Sequence, residues 1–213
     1  MGEGVKRRTY DASGRRERSA ATRQRIVDAA RDLISRRGYR GTTIAAIAAE
    51  ADVNVDTVYA LVGRKPVLLR EVIEQALSGT DHAVTAEERD YVRAMRAEAD
   101  PARKLAIYAR AMREIQVRLA PIFLALRDAS STEPEARDVW QQISERRAAN
   151  MRALARDLRE AGGLRADLSI DEAADVVWVT NSPEVYALLT VDRAWPPERY
   201  ERWLADTWRR LLS

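Results

Sequence analysis

Thr43, Asn54, Val55, Asp56, Thr57, Tyr59, Ala60 and Lys65 fall within one short stretch, residues 42–65, TTIAAIAAEADVNVDTVYALVGRK. Their chemistry is hydrogen bonding and charge neutralisation on a polyanion. Lys65 supplies an ammonium that can neutralise a phosphate, and the hydroxyls of Thr43 and Tyr59 can donate to one. Contacts of that kind set the register of a protein on a duplex without reading its sequence. Asp56 is the unexpected member, because phosphates repel a carboxylate. It is tolerated where it accepts from a cytosine N4 amine or pairs with a neighbouring arginine. Val55 and Ala60 offer only apolar contact, for instance to a thymine methyl.

These side chains need two short helices and a tight turn to position them. Thr43 suits an N-cap, its oxygen accepting from an orphan backbone N–H. Ile44, Ile47 and Ala48 then give the first helix one apolar stripe. Asp52 and Asn54 flank the apolar Val53, as in a turn that buries one anchoring side chain. Asn54 is placed to cap a second helix, with Val58 and either Leu61 or Val62 inward and Asn54, Val55, Asp56, Thr57, Tyr59 and Ala60 outward. This is the plan of a helix-turn-helix, whose second helix enters the major groove of DNA. Upstream, Ile26, Val27, Ala30, Leu33 and Ile34 follow a 3.6-residue period, and Gly38 suits the end of that helix.

Thr42-Thr43, Ile47-Ala48, Ala51, Val53, Thr57-Val58-Tyr59 and Lys65, followed by Leu68, resemble the DNA-binding domain of TetR-type (TetR/AcrR) transcriptional regulators. Residues 22–39, TRQRIVDAARDLISRRGY, look like the first helix of that family, ending at its usual Gly and aromatic. The chain departs from the pattern at Asp52, where Gly is common, and at Leu61-Val62, where an aromatic or His precedes Phe. Asp tolerates a left-handed backbone better than most residues. The resemblance implies phosphate contacts for Thr43, Tyr59 and Lys65, and base-proximal places for Val55, Asp56 and Ala60. It also implies an all-α fold, with an N-terminal three-helix DNA-binding domain and a larger C-terminal helical domain for effector binding and dimerisation. The expected partners are a double-stranded DNA operator, a small-molecule effector and a second copy of the chain.

Charge is distributed accordingly. Residues 1–65 carry 14 Lys and Arg against 8 Asp and Glu, whereas residues 66–213 carry 22 against 25. A basic N-terminal part on a mildly acidic remainder fits a two-part DNA-binding protein. Residues 1–20 read as a flexible basic tail, in which Lys6-Arg7-Arg8 and Arg15-Arg16 either reach phosphates or stay solvated. Arg23, Arg25 and Arg40 either add DNA-backbone contacts near the first helix or are ordinary surface arginines, the second reading being preferred for each alone. Cysteine is absent, which rules out disulfides and thiolate metal sites and suits a reducing cytoplasm. No apolar run approaches the length of a membrane span, and the N-terminus does not read as a secretory signal.

Catalytic constellations are scarce. His82 is the single histidine, so neither a Ser-His-Asp triad with independent support nor a paired-histidine metal site is available. The scattered glycines form no phosphate-cradling loop. Adjacent carboxylates at Glu87-Glu88 and Asp171-Glu172 are explained by helix N-termini. The sequence therefore predicts no enzyme, no cofactor and no metal.

Beyond Lys65 the chain reads as punctuated amphipathic helices. The expected division is residues 21–66 for DNA binding and 67–213 for the helical domain. Asp100-Pro101 starts a helix that Pro121 breaks or kinks near Ala120. Thr132-Glu133-Pro134-Glu135 and Ser169-Ile170-Asp171-Glu172 both have capping-box spacing. Tyr108, Met112, Phe123, Trp140, Met151, Trp178 and Asn181 either line an effector cavity or pack a plain core. Asn181 is the most pointed of them, since a buried amide must find partners. The resemblance places dimerisation on helices near 170–192 and 197–211. There Tyr200, Trp203 and Trp208, with Trp195, suit an interface or close the core of their own chain.

Overall fold

A computed structural model describes residues 12–80 and 84–213. The helices in chain order are α1 (Ala12–Arg37), α2 (Ile44–Glu50), α3 (Val55–Leu61), α4 (Lys65–Ser78) and α5 (Asp90–Ala97). They continue with α6 (Pro101–Ser130), α7 (Pro134–Glu160), α8 (Ile170–Thr180), α9 (Pro183–Ala187) and α10 (Pro197–Leu212), with a π-helical turn over Leu188–Asp192. Among the described residues there is no strand, and no helix is long and apolar enough to cross a membrane. The all-α expectation holds.

Helices α1, α2 and α3 form the N-terminal head. Ile26, Ala30, Leu33 and Ile34 of α1 are buried against Ile47, Ala48 and Val58. α4 runs from this head into the rest of the molecule, packing on α1, α6 and α7. α6, α7, α8 and α10 surround the second part of the core, with Leu105, Phe123, Leu158, Leu204 and Trp208 inside.

The turn between α2 and α3 follows from its sequence. Thr43 caps α2 by accepting from the Ala46 N–H at 3.1 Å. Asp52 takes a left-handed backbone, φ 53°, which turns the chain so that the Val53 N–H reaches the Ala48 carbonyl at 3.0 Å. Asn54 sits at the N-cap of α3 without a side-chain capping bond, leaving its amide outward. A side chain at Asp52 strains this conformation and glycine would not. Asp52→Gly should therefore raise unfolding stability by about 0.5–1 kcal/mol, read as a shift in denaturation midpoint at constant m-value.

Four sequence expectations are corrected. α1 begins at Ala12, so residues 12–20 continue the helix where a tail was expected. Arg and Ala make up five of these nine residues and are good helix formers. Lys6-Arg7-Arg8 and His82 lie outside the described residues. Of the break or kink expected at Pro121, the break is absent, since α6 is continuous through it. Pro121 and Val117 are both exposed, so the Val117 carbonyl left without an intrahelical donor faces solvent. Thr132 does not open a capping box: its hydroxyl donates back to the Ala129 carbonyl, and Glu133 is the N-cap because Pro134 takes the first helical position. The second capping box is present, Ser169 and Glu172 satisfying each other's backbone N–H groups. The fourth correction concerns Tyr200 and Trp208. Both are fully buried in their own chain, so the interface expectation fails for them, and Trp203 is half-buried against Trp195 and Tyr200.

Candidate functional site

α3 presents one face to its own core and one to solvent. Val58 is buried and Thr57 half-buried, while Asn54, Val55, Asp56, Tyr59 and Ala60 are exposed. Tyr59 is 51 % exposed, unusual for a large ring with no partner to cover it. The side chains read from the sequence as the outward set of α3 thus reach solvent, Thr57 only in part. Thr43 lies beside them with its hydroxyl hydrogen still available after accepting its cap bond.

Lys65 is held differently from a free surface lysine. Its Nζ lies 3.8 Å from the Tyr39 ring centroid, and partial burial pushes its pKa down, opposed by the charge of Glu133. Burial, with Glu133 and Glu135 nearby, pushes the Tyr39 hydroxyl up to about 12. The ring fixes Lys65 at the first turn of α4, next to Arg64, an exposed cation that sequence reading passed over. Its signal was Pro66, which marks Arg64-Lys65 as the start of a helix.

Arg23 is structural. Its Nε donates to the Leu61 carbonyl at 3.2 Å at the end of α3, and the same guanidinium pairs with Glu71 of α4. Arg40 approaches Glu133 at 3.9 Å. Arg15, Arg16 and Arg25 are exposed on α1.

A cavity of about 640 Å³ lies between α4, α5, α6 and α7, reaching Asn181 after α8. Tyr108, Met112, Phe123, Met151 and Asn181 line it, as the sequence suggested. Trp140 and Trp178 do not. Trp140 packs on Phe123, ring centroids 4.6 Å apart, and Trp178 lies beneath the Arg147 guanidinium, 4.8 Å from its ring centroid. Ile73, Glu74 and Leu77 bring α4 to the wall.

Several polar groups meet at Asn181 on the wall of this cavity. Asn181 is 2 % exposed. Its Nδ2 donates to the Tyr108 hydroxyl at 3.0 Å, and its Oδ1 accepts from Arg147. Gln116 donates to the Asn181 carbonyl at 2.5 Å. Burial pushes the Tyr108 hydroxyl pKa well up and the Arg147 guanidinium pKa down. Arg147 was missed in the sequence because α7 is rich in arginines and nothing local separates this one from its solvated neighbours.

Across the same wall, Arg146 of α7 pairs with Glu74 of α4. Arg118 of α6 donates to the Ala76 carbonyl at 3.1 Å near the end of α4. Its guanidinium also limits Gly79, where an added Cβ would lie 3.0 Å from Nη2 and the backbone φ is 74°.

The large exposed apolar side chains of the C-terminal helices include Val179, Leu188 and Val191, at 52 %, 56 % and 72 %. They sit on α8 and the π-helical turn. Among the described residues no group of His, Cys, Asp or Glu is clustered to hold a metal ion.

Residues 26–72 match the family described as "Bacterial regulatory proteins, tetR family". No curated protein matches the chain. Among solved structures, the transcriptional regulator FadR of Bacillus subtilis, in complex with stearoyl-CoA, superposes with a TM-score of 0.71 at 18% identity. That match covers 89% of this chain and 98% of that one. The fatty acid degradation regulator FadR of Bacillus halodurans gives 0.70 at 18% identity, covering 88% and 94%. A protein of Saccharomonospora viridis in complex with choline gives 0.65 at 23% identity, covering 87% and 94%. At these identities the solved structures establish a shared fold. Residues 26–72 thus carry the helix-turn-helix described for the tetR family of bacterial regulatory proteins, within a chain that shares the overall fold of these solved regulators.

Proposed function

We propose that the chain is a homodimeric, ligand-responsive repressor, released from a near-palindromic operator when a small molecule enters the α4–α7 cavity. The observation that carries this reading is the course of α4. It starts at Lys65, with only three residues between it and the end of α3 at Leu61, and its later residues Ile73, Glu74 and Leu77 wall the cavity. A ligand that spreads α4 from α6 and α7 strains the Glu74–Arg146 pair and the Arg118–Ala76 bond. It then moves the recognition helix with α4. Such a switch requires the ligand to bind one arrangement better than the other.

In this reading Thr43, Tyr59 and Lys65 contact phosphates, while Asn54, Val55, Asp56, Thr57 and Ala60 face base edges. Tyr39 holds Lys65 in place for its contact. Lys65→Ala should weaken specific and random DNA binding alike and make the salt slope shallower by about one for each phosphate left without its lysine. An unchanged slope would mean that Lys65 does not touch a phosphate. The second copy is proposed to cover Val179, Leu188 and Val191.

The cavity also favours this reading over control by a protein partner alone. The two are separated by challenging the operator complex with a dialysable, protease-treated cell extract. Release by that fraction supports a small-molecule effector. Release only by the undialysed protein fraction would replace it with a partner.

A further inference from the structure

The cavity wall is mostly hydrocarbon, with Ile73, Leu77, Ile115, Leu119, Phe123 and Leu154 on it. Four arginines, Arg89, Arg96, Arg146 and Arg147, also line it, against three carboxylates, Glu74, Glu87 and Asp157. Two of the carboxylates are engaged, Glu74 by Arg146 and Asp157 by Lys104. Arg147 has no carboxylate within salt-bridge distance among the described residues. Its Nη2 donates to two neutral acceptors, the Trp178 carbonyl and Asn181 Oδ1, and no hydrogen bond within the described chain occupies Nε or Nη1. Glu184, a charge that acts on it from further away, is paired with Arg127. A partly buried guanidinium with free donors facing a cavity is costly unless an anion answers it.

From this geometry we infer that the cavity takes a monocarboxylate with an aliphatic body, its carboxylate on Arg147 beside Asn181 and Tyr108 and its chain along the α4–α6 wall. This deepens the effector reading above and rests on the same cavity. A quaternary ammonium of the same length meets the positive charge of Arg147 there, with no carboxylate on Arg147 to offset it. A neutral alcohol leaves that charge unanswered. Capping the end of α8 through the Trp178 carbonyl accounts for one nitrogen of Arg147 and not for its place on a cavity wall.

The test is calorimetric titration of the full chain with decanoate, 1-decanol and decyltrimethylammonium, for the wild type and for Arg147→Met and Arg147→Lys. Operator binding is followed in parallel by fluorescence anisotropy. Decanoate should bind at least about tenfold more tightly than the other two, the usual worth of a charge-assisted hydrogen bond. Arg147→Met should abolish that preference while retaining decanol binding, which also reports that the cavity is still formed. Arg147→Lys should keep part of the preference. Equal or stronger binding of decanol or the ammonium overturns the carboxylate assignment and leaves the effector reading standing. Binding of none of the three overturns the assignment as well. Decanoate binding at Arg147 that leaves operator affinity unchanged supports the assignment and contradicts the effector reading.

Discussion

Trp208→Ala should destabilise each protomer by about 3–5 kcal/mol, the range for emptying a large aromatic site in a closed core. Trp208 has no exposed surface. It stacks on Tyr108 with ring centroids 5.2 Å apart, and its indole N–H donates to Thr180 Oγ1 at 2.7 Å. The residue therefore joins α10 to α6 and α8 beside Tyr108 of the cavity wall. Heat denaturation should show a Tm lower by on the order of 10 °C. Trp208→Phe, which keeps one ring and gives up the N–H with the rest of the indole, should cost less. Both deficits should be the same when the protein is diluted. A deficit that grows on dilution would mean that Trp208 acts between copies, contrary to its burial.

Tyr59→Ala should lower operator affinity about tenfold or more per protomer, with thermal stability nearly unchanged. The ring is half exposed on α3, beside the buried Val58 that anchors the helix. Its removal leaves no hole in the core. A hydroxyl donating to a phosphate makes a charge-assisted bond, stronger than a neutral one. A dimer on a palindrome gives up two such bonds at once, so the effect on the complex multiplies. Operator titrations at fixed salt, with circular dichroism of the same sample, check both halves. Unchanged affinity would remove Tyr59 from the DNA-facing surface.

How much of this was legible in the sequence depended on whether the signal was local. The α2–α3 unit was readable residue by residue, because a cap at Thr43, a left-handed turn at Asp52 and an apolar anchor at Val58 are properties of neighbours in the chain. The capping box at Ser169 was readable for the same reason. At Thr132 the same spacing misled, because Pro134 decides where a helix starts more strongly than a hydroxyl two residues earlier. Pro121 misled in the opposite direction, since a helix lying with one side in water tolerates a missing bond on that side. Tyr200 and Trp208 looked alike as interface or core, and only the packing of α10 on α6 and α8 chose core.

The cavity was half legible. Aromatic, Met and Asn residues inside apolar helices pointed to it, and five of seven were on its wall. Arg147 was invisible among the arginines of α7, because its distinction is partial burial against Asn181 and Trp178, which only the folded chain brings to it. Likewise, the Glu74–Arg146 pair spans 72 residues of sequence, and no periodicity announces it.

The central claim is that α3, carried on this helical frame, reads a specific DNA sequence. Selection from a random oligonucleotide pool with the purified full chain tests it most directly. The expected result is enrichment of one motif made of two inverted half-sites, abolished when Tyr59 and Lys65 are both changed to Ala. A pool that returns no shared sequence after repeated rounds, with the protein folded and binding all duplexes alike, would contradict it.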